Sequence, residues 1–290
     1  MKVLILGRTG QVAFELARTG WSVDTETRIA GRPEFDMARP ETLDAALAAA
    51  APDMVINATA YTAVDKAESE PELAFAVNRD GPARLAELCR DRGAALLHIS
   101  TDYVFDGAKK EPYLEEDAVA PLGVYGASKE AGEAAIRATC PRHIILRTSW
   151  VYGVHGQNFL KTMLRLGAER EELGVVADQH GAPTAAADIA ATLARLAAAV
   201  AGRVDAPWGT YHYTGGGATT WHGFAEHIFE AQRRSTGRRP RLTAIATADY
   251  PTPARRPANS RLDCARIGRS FGIVCPLWQE SADLVLAGLL

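Results

Sequence analysis

The chain has 290 residues, 47% of them hydrophobic and 23% charged, and a formal net charge of −3. That balance fits a globular protein with a sizeable core, either one large domain or two closely joined ones. It gives no electrostatic reason to bind nucleic acid or an anionic membrane, because no basic face or polybasic run is present and Arg233 to Arg241 reads as a solvated helix end and loop.

Cys89, Cys140, Cys264 and Cys275 are scattered without a C-x-x-C spacing, so reduced structural thiols are expected rather than a zinc site or a disulfide framework. The N-terminal apolar run is about five residues long and leads straight into Gly7, too short for a signal peptide or a membrane span. A cytoplasmic location is expected.

The first half alternates short apolar runs with helical patterns, which predicts a parallel sheet covered by helices on both faces. Val3 to Leu6 is the first strand. A helix beginning near Gly10 carries Val12, Leu16 and Ala17 on one face. A second strand ends near Ile29, a helix covers about Pro40 to Ala50, and Met54 to Asn57 is a third strand. Helical segments at Pro71 to Val77 and Gly81 to Arg92 precede a fourth strand, Ala95 to Ile99. A helix starts near Tyr125, and His143 to Leu146 is the fifth strand. Five such strands make a Rossmann-like doubly wound sheet the economical α/β reading.

Beyond residue 150 the alternation breaks down. Helices at about Asn158 to Gly167, Ala185 to Ala199 and Thr220 to Arg233, with strands near Leu173 to Val176, Thr210 to Tyr213 and Leu242 to Ile245, predict a smaller α+β lobe. The expected division gives residues 1–150 plus roughly 178–212 to a dinucleotide-binding domain. Roughly 151–177 and 213–290 then form an interleaved substrate lobe.

Between the first strand and first helix lies Gly7-Arg8-Thr9-Gly10-Gln11-Val12-Ala13, a G-x-x-G-x-x-A turn. Glycines there let a pyrophosphate approach the backbone, and the helix N-terminus offers free N–H groups. Such turns also serve as plain connections. Asp36 lies a little over twenty residues further on, where an acidic residue can meet an adenosine ribose, and it fits a turn before Pro40 equally well. Arg28 and Arg32 are placed to meet a 2′-phosphate or simply to be solvated, so NADPH and NADH both stay open.

After the third strand, Ala58 and Ala60 leave room for a flat ring, or they pack against a helix. The fourth strand runs into Ser100-Thr101-Asp102, which suits substrate binding and also suits a cap and turn. Tyr125 and Lys129, four apart, share a helix face. Reducing a ketone requires a hydride on carbon and a proton on oxygen. A tyrosine can give the proton, and a nearby ammonium would lower its pKa while anchoring a ribose. Thr101 would hold the carbonyl oxygen. His98, His143, His180, His212, His222 and His227 read as structural, and His155 as a pocket-loop residue.

The combination of Gly7-x-x-Gly10-Gln11, NATAYTAVDKAE from Asn57, STDYVFDG from Ser100, YGASK from Tyr125 and RTSWVYG from Arg147 resembles the extended short-chain dehydrogenase/reductases, in particular their dTDP-4-dehydrorhamnose reductase branch. NFLKTML from Asn158, DQHGAPT from Asp178, GTYHYTGGGATTWHGFA from Gly209 and RRPANSRLD from Arg255 extend the resemblance over essentially the whole chain.

The resemblance implies that Tyr125 donates the proton, Lys129 partners it and holds the ribose, and Thr101 tunes both. It implies that Thr101, Asp102, Tyr125 and Trp150 meet a deoxysugar lying between the lobes. Gly7, Gly10, Gln11 and Val12 would face the pyrophosphate, Asp36 and Met37 the adenosine, and Ala60, Tyr61 and Thr62 the nicotinamide half. Hydride would go to carbon 4 of dTDP-4-dehydro-β-L-rhamnose. The partner expected is thus a small nucleotide sugar, with a homodimer as a candidate assembly.

Magnesium is associated with the family, yet no tight carboxylate cluster appears, so magnesium stays possible while no residues are assigned to hold it. Trp150 and Tyr152 are candidates for stacking on the sugar or base, or for the core, and Arg255, Arg256 and Asn259 to Arg261 for binding a nucleotide diphosphate. Two other classes share much of this pattern. One is a reductase or epimerase for another nucleotide-linked 6-deoxysugar. The other is a non-catalytic regulatory subunit, as in the methionine adenosyltransferase β subunit.

Overall fold

The computed structural model describes residues 1–290. Its first half is built from β1 (Lys2–Leu6), α1 (Gln11–Leu16), β2 (Glu26–Ala30), α2 (Leu43–Ala50), β3 (Met54–Asn57), α3 (Gly81–Arg92), β4 (Ala95–Thr101), α4 (Val124–Thr139) and β5 (His143–Thr148). The second half adds α5 (Phe159–Glu169), β6 (Glu172–Val176), α6 (Ala186–Val200), β7 (Gly209–His212), α7 (Trp221–Thr236), β8 (Arg241–Ile245) and α8 (Trp278–Ala287). Shorter pieces connect them.

Six strands pair in the order β7-β5-β4-β3-β1-β2, all parallel. The five expected strands are all present, and β7 adds a sixth beside β5. Side chains alternate across the sheet as the pleat requires. Val3 and Ile5 join the core under α1 and α6, whereas Leu4 and Leu6 join the core under α2 and α3. The chain order reverses between β1 and β3, and crevices at such a switch point bind ligands beyond the carboxyl ends of the strands.

Two local differences matter for the site. α1 ends at Leu16, so Ala17 is exposed and Ala13 takes its place on the buried face. β4 and β5 run two residues further than expected, to Thr101 and Thr148, and pair Ser100 with Arg147 and Thr101 with Thr148. Thr101 therefore sits at the paired carboxyl end of an interior strand rather than in a loop.

A separate core joins α5, β6, α7 and α8 through Leu160, Met163, Phe224, Phe229 and Trp278. β6 and β8 pair in parallel. Two of its helices, α5 and α7, start on side-chain caps: Asn158 accepts from the Lys161 N–H and Thr220 from the Gly223 N–H. Asn158 also donates to Gln11 Oε1 at 2.8 Å, which ties this part of the chain to the glycine turn.

Candidate active site

The carboxyl ends of β1, β3, β4 and β5 open into a cavity of about 510 Å³. Of the residues that the resemblance assigns to cofactor or substrate, Gly10, Gln11, Val12, Ala60, Thr62, Thr101, Asp102, Tyr125, Lys129 and Trp150 all line it. The other four do not. Gly7 lies at the floor of the turn. Tyr61 has its hydroxyl turned to Glu70 at 2.7 Å, and its backbone is held at both ends by the Asn78 amide. Asp36 accepts from the Ala38 N–H at 3.0 Å, which is the turn role, and Met37 is buried in the core under α3.

α4 brings Tyr125 and Lys129 over the end of β4. It approaches so closely because Gly126 has no side chain, and a Cβ there would overlap the Tyr103 carbonyl. The Tyr103 ring meets the Tyr125 ring edge-on at 5.6 Å. Lys129 is 2% exposed, with its ammonium nitrogen 2.7 Å from the Ile99 carbonyl and 3.2 Å from His98 Nε2. His98, which the sequence left as structural, is thus in direct contact with the lysine. Nothing local signals this, because the contact depends on how α4 packs over β4, thirty-one residues earlier in the chain.

Burial governs the charges here. It pushes the Tyr125 phenol up to about 12, with the Thr101 hydroxyl pulling the other way and Asp102 adding to the rise. It draws the Lys129 ammonium down to about 8 against the raising influence of Glu133. The rise runs opposite to the expected fall, because the cost of burying a phenolate exceeds what the Thr101 hydroxyl returns. The phenol keeps its proton, as a proton donor must.

Thr101 donates to Asp102 Oδ1 at 3.0 Å. Asp102 is 2% exposed and its Oδ2 has no hydrogen-bond partner. Burial raises this carboxyl to about 7. Opposite it, Trp150 stands in a left-handed conformation (φ 48°), stacked on Trp221 at 3.6 Å. A non-glycine residue in that region stores strain that the surroundings must hold. Trp221 is in turn anchored by its N–H to Gln179 at 3.2 Å. Tyr152, the other candidate, is a fully buried core aromatic.

Beneath α4, Glu133 and Arg147 form a buried pair with contacts of 2.6, 2.9 and 3.1 Å. The late basic segment is largely committed elsewhere. Arg256 pairs with Asp65 at 2.8 Å, and Asn259 donates to the Lys109 and Glu111 carbonyls. His155 stacks on Phe14 at 4.2 Å and contacts the Thr9 carbonyl.

The glycine turn fits a dinucleotide. Gly7 has φ 125° and a Cβ there would lie 3.1 Å from the Ala58 carbonyl oxygen and 3.2 Å from the Ala13 Cβ, so glycine lets the turn pack tightly against the end of β3. The first N–H groups of α1 have no partner within the helix. Gln11 faces the cavity and donates to the Val151 carbonyl at 3.4 Å. No three His, Cys, Asp or Glu side chains converge as metal ligands.

A doubly wound parallel sheet, with a glycine turn and a Tyr-x-x-x-Lys pair meeting over one edge, defines a nucleotide-dependent oxidoreductase of the short-chain type. The family model described as the RmlD substrate binding domain matches residues 1–290. A dTDP-4-dehydrorhamnose reductase of Sinorhizobium fredii is 48% identical, over 100% of this chain and 98% of its own. Among solved structures, the dTDP-4-dehydrorhamnose reductase of Clostridium acetobutylicum superposes with a TM-score of 0.93 at 36% identity, covering 100% of this chain and 99% of that one. The Bacillus anthracis enzyme, solved in complex with NADP, gives 0.92 at 33% identity, covering 99% of each chain. The chain belongs to this family of dTDP-4-dehydrorhamnose reductases.

Proposed function

We propose that the protein reduces the 4-keto group of dTDP-4-dehydro-β-L-rhamnose to give dTDP-L-rhamnose, a precursor of cell-surface polysaccharide, using NADPH or NADH. The observation that carries this reading is the convergence of Tyr125, Lys129, Thr101 and Asp102 on the cavity that begins at the glycine turn. Full-length similarity to reductases acting on this sugar supports the substrate.

The turn Gly7 to Val12 binds the pyrophosphate, and Ala58, Ala60 and Thr62 leave room for the nicotinamide half. The bound nicotinamide supplies the hydride. Tyr125 gives its proton to the carbonyl oxygen, which the Thr101 hydroxyl holds in place. Lys129 positions the ribose and the phenol. Asp102 and Trp150 orient the deoxysugar, with residues 151–177 and 213–290 forming the lobe that receives it. The location is cytoplasmic, since both reactants are phosphorylated nucleotides that do not cross a bilayer unaided.

The test is the loss of NAD(P)H absorbance when dTDP-4-dehydrorhamnose is added to the purified protein. Oxidation with this sugar and slower oxidation with other dTDP-4-keto sugars is expected. Faster turnover of another nucleotide sugar would overturn the substrate, and no oxidation with any of them would overturn the activity.

A further inference from the structure

The loop that leads from Trp150 to the start of α5 is clipped onto the glycine turn, although Gln11 and Val151 are 140 residues apart in the chain. Gln11 Nε2 donates to the Val151 carbonyl at 3.4 Å, and Asn158 Nδ2 donates to Gln11 Oε1 at 2.8 Å. His155 stacks on Phe14, and its Nε2 donates to the Thr9 carbonyl at 3.2 Å. Between these contacts Gly156, at φ 72°, crosses over the Gln11 side chain, where a Cβ would lie 3.3 Å from Gln11 Cγ.

The polarity of this clip is fixed. Asn158 Oδ1 accepts from the Lys161 backbone N–H at 3.0 Å, and its Nδ2 faces the Gly153 carbonyl at 2.8 Å. A backbone N–H can only donate and a carbonyl can only accept, so the Asn158 amide has one orientation. It offers an N–H to Gln11, whose Oε1 accepts, and the Gln11 Nε2 is left facing the Val151 carbonyl. Every donor meets an acceptor, and a satisfied network of this kind holds one geometry. Its longest link, the 3.4 Å contact, is backed by the parallel pairing of Val151 with Thr184.

Gln11 thus has two parts with separate duties. Its backbone belongs to the turn that takes the pyrophosphate, whereas its side-chain oxygen and one N–H are spent on the loop that follows Trp150. We propose that the Gln11 side chain, braced by Asn158, serves the sugar rather than the cofactor: the two are positioning residues that fix Trp150 relative to the glycine turn, and so fix the sugar carbon relative to the nicotinamide. The chemical meaning of this brace rests on the reductase reading, although its geometry does not.

Trp150 needs such support, because a non-glycine residue at φ 48° keeps that conformation only where its surroundings impose it. The Trp221 stack and Gly181, where a Cβ would lie 2.5 Å from the indole, fix the ring. The Gln11 contact fixes the backbone beside it.

Asn158→Ser separates the brace from the helix cap, since serine caps as well as asparagine but is too short to reach Gln11. In that variant kcat/KM for dTDP-4-dehydro-β-L-rhamnose is expected to fall by at least about tenfold, with NADPH Kd by fluorescence titration and Tm unchanged. Gln11→Ala should give the same split, and the double variant should be no worse than the weaker single one, as residues acting through one contact require. Wild-type kinetics in Asn158→Ser would reduce Asn158 to a cap and overturn the proposal. Weakened NADPH binding in Gln11→Ala with intact sugar kinetics would assign the side chain to the cofactor and overturn it too. Fluorine NMR of protein labelled with 5-fluorotryptophan reads the brace without turnover, with the Trp150 signal identified by its loss in Trp150→Phe. That signal is expected to shift or broaden in both variants, and an unmoved signal contradicts the proposal. Failure of the reductase reading is seen separately, as wild-type protein that does not oxidise NADPH with this sugar.

Discussion

The Glu133–Arg147 pair lies directly behind the Lys129 end of the site, and Glu133→Gln tests how much of that scaffold rests on it. Both side chains are nearly inaccessible, with relative exposures of 0% and 2%. Burial works to raise the Glu133 pKa, and the bonds and charge of Arg147, with Arg137, more than offset this and hold it below its ordinary value. Glutamine preserves the volume and leaves the Arg147 charge uncompensated. Breaking one side of a buried pair costs about 3–5 kcal/mol. At about 2–3 °C per kcal/mol for a chain of this size, Tm falls by about 6–15 °C.

The pH dependence follows from the sign of the shift. A lowered folded pKa contributes stability above the unfolded value of 4.5, and this is lost as pH falls through the folded value. Wild type should therefore weaken on acidification below about 4.5 more steeply than Glu133→Gln. Calorimetry between pH 3 and 8 checks both outcomes. A Tm change under about 2 °C, or identical acid limbs, would show that Arg147 finds other solvation and that the pair does not support α4.

Tyr125→Phe should lower kcat by about 10²–10⁴-fold with cofactor affinity nearly unchanged, measured by steady-state kinetics and NAD(P)H fluorescence titration. Full turnover in that variant would remove the tyrosine from its role. Lys129→Met should damage both the rate and cofactor affinity, and unchanged values for both would exclude the lysine from the mechanism. Gly126→Ala should displace the start of α4 from the Tyr103 carbonyl, lowering kcat/KM by at least about tenfold and Tm by several degrees. Wild-type values there would mean that the close approach has no catalytic consequence.

The first half of the fold was legible because its strands are short apolar runs separated by helical patterns, and Met54 to Asn57 was bounded correctly. The Tyr125 and Lys129 spacing was equally plain, since four residues on a helix is a local property. What escaped were relations between distant segments. Asn57 and His98 become neighbours only through strand register, and Trp150 is oriented by Trp221, seventy-one residues later in the chain. The direction of the Tyr125 pKa was misjudged for a related reason. Spacing reveals the lysine, whereas the burial that raises the phenol depends on the whole fold.

The most direct measurement of the central claim follows the hydride itself. The protein is incubated with dTDP-4-dehydro-β-L-rhamnose and NADPH carrying deuterium at the transferable position, and the product sugar is examined by NMR. The account predicts dTDP-L-rhamnose with one deuterium on carbon 4, and loss of that product in Tyr125→Phe. Deuterium retained on the cofactor, or a product with the other configuration at carbon 4, would contradict it.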